Sequence, residues 1–179
     1  MISKASNLKS QVPNGGYTLI ELIVAVGLFA IIMVLASGAY LVMIGVNRQT
    51  QAITTGIDNL AFVLESMTRS IRTGSNYNHA GTSTFWFVDQ YGCSITYGTL
   101  DGRIVQTESG AGCPTLSNAP LTAPSVNISS LAFNVSGGGA GDAYQPYVTI
   151  RVSGTVSSGP GKTEPFNVET SATMRGTDL

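Results

Sequence analysis

The sequence predicts an α+β protein: one long N-terminal helix covering a small antiparallel β-sheet. Three observations carry that expectation. Residues 22–47 are 26 consecutive uncharged residues, most of them Leu, Ile, Val, Ala, Met or Phe. From Arg48 to Arg72, apolar residues recur three and four apart, the spacing of one helix face. Beyond Gly74 the period drops to two, the spacing of strands.

The apolar run would rise about 39 Å as a helix, at 1.5 Å per residue, enough to cross a bilayer core of about 30 Å. Glu21 stands at its head, and no other charge appears until Arg48. Gly27, Gly38 and Gly45 interrupt the run, with Ser37-Gly38 its softest point. Past Arg48 the stripe consists of Ile53, Ile57, Leu60, Leu64, Met67 and Ile71. Asp58, Glu65, Arg69 and Arg72 lie off it, and Glu65 and Arg69 have i,i+4 spacing. Gly74 reads as a C-terminal stop. One helix is therefore expected from Tyr17 to Thr73, its stripe packed on the sheet. Phe62 projects away from the stripe, either as a lone surface aromatic or as a contact to a neighbouring subunit.

Strand patterning occupies the rest of the chain. Phe85–Val88, Cys93–Tyr97, Arg103–Thr107, Leu131–Val135, Val148–Val152 and Phe166–Met174 give five or six strands, with Asp101-Gly102 as a two-residue hairpin turn. Residues 109–126 read as a loop and Ser157–Gly161 as a connection. Cys93 and Cys113 both lie beyond the apolar run. Such a pair reads as a disulfide in an exported domain and as two thiols in a cytosolic one, and the apolar run favours export.

Several function classes find no support. The charged fraction is 11%, against about 25% in ordinary soluble domains, and net charge is −1 with no basic stripe, so no nucleic-acid partner is indicated. His79 is the single histidine and has no metal ligand at suitable spacing. Asp101 and Asp142 lack EF-hand spacing, and Gly137–Gly141 opens no helix and cradles no phosphate. No nucleophile or dinucleotide fingerprint is present. The expectation is no enzyme, no catalytic residue, no metal and no cofactor.

Three readings compete for the head of the chain. A secretory signal has an apolar core of roughly 7–15 residues, far shorter than this run, although Ala36-Ser37-Gly38 could pass for a cleavage site. A plain anchor leaves Glu21 unexplained, since an unpaired carboxylate inside an apolar helix costs about 2.5–3.5 kcal/mol. The third reading gives Glu21 a partner. Residues 1–16 form a short leader with Lys4 and Lys9, ending at Gly16; Tyr17 comes next, and Glu21 is the fifth residue counted from Tyr17. With Ile23-Val24-Ala25-Val26-Gly27-Leu28, this resembles the signal of type IV pilins and type II secretion pseudopilins. Tyr17 departs from the Phe usual at that position but keeps an apolar ring. The resemblance implies cleavage between Gly16 and Tyr17 by a prepilin peptidase, N-methylation of Tyr17, and a charge pair between Glu21 and the Tyr17 amine of a neighbouring subunit.

The implied organisation is a leader over 1–16, a membrane or filament-core half-helix over 17–46, an amphipathic half over 47–74 and a sheet domain over 75–179. The implied partners are the peptidase, other pilin or pseudopilin subunits, the inner-membrane assembly machinery and lipid. Lys4 and Lys9 set the N-terminus in the cytoplasm, with the sheet domain outside a single inner-membrane pass. Leu64-Glu65-Ser66-Met67-Thr68-Arg69-Ser70-Ile71-Arg72, Ser130-Leu131-Ala132-Phe133 and Thr173-Met174-Arg175 further resemble minor pseudopilins of the type II secretion J type and their pilus-side relatives. The expected function is that of a minor subunit of a type IV filament. The alternative is a membrane-tethered binding module that uses the helix only as an anchor.

Overall fold

A computed structural model describes residues 15–80, 82–137 and 145–175. They fall into two compact units, the first ending at Gly45 and the second beginning at Val46. Helix α1 spans Leu19–Thr73 and supplies residues to both. It starts two residues later than expected, because Thr18 stands at its N-cap. The helix is unbroken at Ser37-Gly38, where the Ser37 hydroxyl donates to the Met33 carbonyl at 2.7 Å.

In the second unit the strands form two antiparallel sheets rather than the one expected. The first is a five-stranded meander in chain order: β1 (Ser75–Ala80), β2 (Thr84–Val88), β3 (Ser94–Leu100), β4 (Arg103–Ser109) and β5 (Leu116–Pro120). The second contains β6 (Val126–Ser136), β7 (Tyr147–Gly159) and β8 (Lys162–Thr173), also in chain order. The Asp101-Gly102 turn joins β3 to β4 with φ of 51° and 69°, both left-handed, as a tight hairpin of this type requires. Two expectations need correction. The stretch 109–126 is not all loop, since it contains β5, which pairs with β4 through Val105–Pro120 and Gln106–Ala119. The connection expected over 157–161 is shorter, because β7 continues to Gly159 and β8 begins at Lys162.

Both sheets present their apolar side chains to the same core. Leu60, Val63, Leu64, Met67 and Ile71 of α1 are buried there. Ile57 packs half-buried against the same cluster. The five-stranded sheet contributes Phe85, Phe87, Ile95, Tyr97 and Ile104, and the three-stranded sheet mainly Ile128, Phe133, Val148, Ile150, Val152 and Val156. Each fully buried side chain of this kind stabilises by about 1.5–3 kcal/mol, which outweighs the helix-propensity differences along the stripe. Aromatic rings fill the middle. Phe85 stacks on Phe133 with centroids 5.2 Å apart and on Phe87 at 5.6 Å, and Tyr77 lies 5.7 Å from Phe85.

Backbone hydrogen bonds stitch these parts together. Ile128 N–H donates to the Gly102 carbonyl at 2.7 Å and Phe133 N–H to the Thr82 carbonyl at 2.7 Å, linking the two sheets. Arg103 reaches the Thr122 carbonyl, and the Thr122 hydroxyl accepts from Ile104 N–H at 3.2 Å. The end of α1 is closed from three directions. Ile71 O accepts from Gly74 N–H at 3.1 Å and from the Tyr77 hydroxyl, while Arg72 O accepts from Arg175 N–H at 2.9 Å. Carbonyls that a helix terminus leaves unpaired are thereby satisfied.

Two glycines are required by close approach. A Cβ at Gly56 would lie 2.4 Å from Val156 Cγ1, so the helix meets β7 there through bare backbone. A Cβ at Gly154 would lie 2.1 Å from the Asn127 carbonyl oxygen, across the β6–β7 pair. Gly154→Ala should therefore destabilise the second unit by about 1–3 kcal/mol. Gly98→Ala, whose nearest neighbouring atom would be 3.9 Å away, should stay within about 0.5 kcal/mol of the parent. Urea unfolding of the detergent-solubilised chain checks both.

Burial pushes the Tyr77 phenol up to about 12 from its ordinary value of 10.0. A phenol whose folded value is raised contributes stability below its unfolded value, and that contribution is lost as pH rises through the folded one. Stability should fall between about pH 10 and 12. Tyr77→Phe should flatten that decline in thermal melts taken across the interval.

Candidate functional site

The head of α1 is built by a local rule. Glu21 N–H donates to Thr18 Oγ1 at 3.3 Å, and Leu22 N–H donates to the Thr18 carbonyl at 3.2 Å. Thr18-Leu19-Ile20-Glu21 has the S/T-x-x-E spacing of a capping box, with Glu21 at the third helical position. The carboxylate thus lies in the first turn, where the helix dipole favours negative charge by about 0.3–1 kcal/mol. This role was readable in the sequence from Thr18 and Glu21, three residues apart.

Past its first turn, the N-terminal part of α1 is apolar and uncovered. Tyr17 is 85% exposed, and Leu19, Ile20, Phe29, Val34, Leu35, Leu41 and Met43 are all exposed. By length and composition this helix can cross a membrane. Among the described residues nothing within 4 Å would meet a Cβ at Gly27, Gly38 or Gly45, so no contact among them explains those glycines. The apolar surface lies far beyond what a monomeric soluble protein leaves bare, and it calls for lipid or for other helices.

Residues 13–37 match the family model described as the prokaryotic N-terminal methylation motif. This is the type IV pilin and pseudopilin signal. The matched span includes Gly16, Tyr17 and Glu21, and ends within the apolar run at Ser37. The pilin-type signal implies processing by a prepilin peptidase and assembly with other pilin subunits, and with the apolar helix it fits membrane anchoring. No curated protein and no solved structure matches the chain.

The remaining sequence-predicted positions lie in the second unit. Phe62 is 72% exposed on α1. Nearby, Arg69 pairs with Glu65 at 3.1 Å, both well exposed. Cys93 and Cys113 form a disulfide with Cα atoms 5.8 Å apart. Asp89, Cys93 and Glu108 come together, but the Cys93 sulfur is committed to that bridge. Asp89 Oδ1 accepts from Tyr91 N–H and Cys93 N–H, each at 2.8 Å, which gives its carboxylate a structural role in the turn before β3. Lys4, Lys9, the His79 side chain, Gly138–Gly141 and Asp142 lie outside the described residues.

The bridge closes a loop with a sequence separation of 20, a constraint worth about 3 kcal/mol. It ties the start of β3 to the segment leading into β5, whose residues are mostly exposed. Reduction, or a Cys93→Ser/Cys113→Ser double substitution, should open residues 110–120 to limited proteolysis and lower the unfolding midpoint. Fragment masses after brief protease treatment report the first effect and thermal melting the second.

Proposed function

We propose that this chain is a structural, non-enzymatic subunit of a type IV filament, a minor pilin or pseudopilin. It waits in the cytoplasmic membrane as a single-pass protein with its N-terminus inside, then enters a pilus or pseudopilus. The observation that carries this reading is the methylation motif over residues 13–37, with Glu21 inside it at the head of an uncovered apolar helix.

Cleavage after Gly16 exposes an α-amine on Tyr17, two residues before the first residue of α1. A cation at that end of a helix opposes the dipole and needs a nearby carboxylate. Glu21 of a neighbouring subunit in the filament supplies one. Buried among packed apolar helices, a carboxylate without a partner costs several kcal/mol, so a subunit at the wrong height is rejected. The pair therefore sets axial registry. Phe62, exposed on α1, offers a ring for contact with an adjacent subunit.

In cells with a prepilin peptidase, the mature protein should begin at Tyr17 and carry one methyl group on its amine, as read by N-terminal peptide mass. Glu21→Ala should be inserted and cleaved like the parent yet be incorporated into sheared filaments at least about tenfold less. An N-terminus still at Met1, in the presence of active peptidase, would replace this reading with that of a tethered binding module.

A further inference from the structure

The second unit carries an open groove of about 430 Å³, lined by Arg48, Gln51, Ala52, Thr55, Ser125, Ser157 and Gly159. That volume falls within the range of small-molecule sites. Its lining offers one cation, one amide and three hydroxyls, and no carboxylate. Arg48 is exposed and makes no ion pair among the described residues.

Position gives the groove its meaning. Arg48 is the first charge after the 26 uncharged residues. A cation just past a membrane-crossing stretch lies at headgroup depth, where its guanidinium can meet a lipid phosphate. The guanidinium matches a phosphodiester in geometry and charge. The Ser125 and Ser157 hydroxyls and the Gln51 amide can hydrogen-bond a polyhydroxyl headgroup, whereas the Thr55 hydroxyl already donates to the Gln51 carbonyl at 2.9 Å. A zwitterionic headgroup fits less well, because its ammonium would find no carboxylate in the lining.

From this we infer that the groove around Arg48 is a binding site for the phosphodiester headgroup of an anionic phospholipid, of the phosphatidylglycerol type, on the side of the membrane where the second unit lies. The inference rests on the membrane-anchored reading above. The site holds the subunit at a fixed depth while it waits in the bilayer, and releasing the lipid is one step of extraction.

The full chain, reconstituted in nanodiscs of phosphatidylglycerol and phosphatidylethanolamine at roughly 1:3, should retain phosphatidylglycerol after transfer to detergent, as counted by native mass spectrometry. Arg48→Gln should lower that enrichment about fivefold, the loss of one exposed ion pair. Arg72→Gln, which removes the same charge at the other end of the unit's helix, should leave it unchanged. Equal enrichment in the parent and Arg48→Gln would overturn the inference, as would an equal loss in Arg72→Gln. Displacement by millimolar inorganic phosphate would mark a free-anion site and overturn the lipid assignment. Carbonate extraction is run in parallel. A parent chain that washes off the membrane sinks the anchored reading and this inference with it, whereas one that stays without enriching phosphatidylglycerol sinks the inference alone.

Discussion

A carboxylate at the head of 26 uncharged residues is the constraint on which the rest of the molecule depends. Glu21 cannot be left unpaired inside lipid or inside a bundle of apolar helices without a cost of several kcal/mol. In the isolated chain that cost does not arise, because Glu21 is exposed, in the first turn of α1 where the helix dipole favours its charge by about 0.3–1 kcal/mol. The first-turn position and the proposed assembly role are compatible. The cap holds the carboxylate at the helix end, and cleavage would deliver an amine two residues before that helix begins.

The second half of α1 obeys a different rule. Its stripe is covered, and the cover comes from two sheets rather than one. The five-stranded meander and the three-stranded sheet each have an apolar face, and Phe85 against Phe133 joins them under the helix. Gly56 and Gly154 mark where backbone meets neighbour without room for a methyl group. Hydrogen bonds from Ile128 to Gly102 and from Phe133 to Thr82 cross between the sheets, so each hairpin's register is tied to the other sheet.

Much of this was legible in the residues, and the failures have physical causes. The helix stripe at Leu60, Leu64, Met67 and Ile71 and the alternation at Val148, Ile150 and Val152 are strong periodic signals, and all seven residues are buried. Asp101-Gly102 was readable because few dipeptides tolerate two left-handed residues in succession. β1 was invisible because Ser75–Ala80 has one large apolar residue, Tyr77, and a bulge near its start. β5 was invisible because its residues are mostly exposed, and pairing with β4 alone makes it a strand. The division into two sheets was not readable, since apolar alternation reports that a face is buried and not which sheet it joins. At the candidate site, the signal that contains Gly16, Tyr17 and Glu21 was legible because such a motif demands particular residues at fixed spacing, and residues 13–37 match it. The groove at Arg48 was not, because Ser125 and Ser157 come from distant parts of the chain.

The bond from Arg175 N–H to the Arg72 carbonyl has a consequence for synthesis. Helix α1, which comes early in the sequence, is finished at its C-terminal end by residue 175. The core likewise lacks Ala172 until β8 has been made. Although α1 is translated early, the cover it forms cannot close until β8 and Arg175 have emerged. A prematurely ended subunit would still carry the signal and the apolar helix, but its second unit would stay open, with its core exposed to proteolytic removal before it could join an assembly.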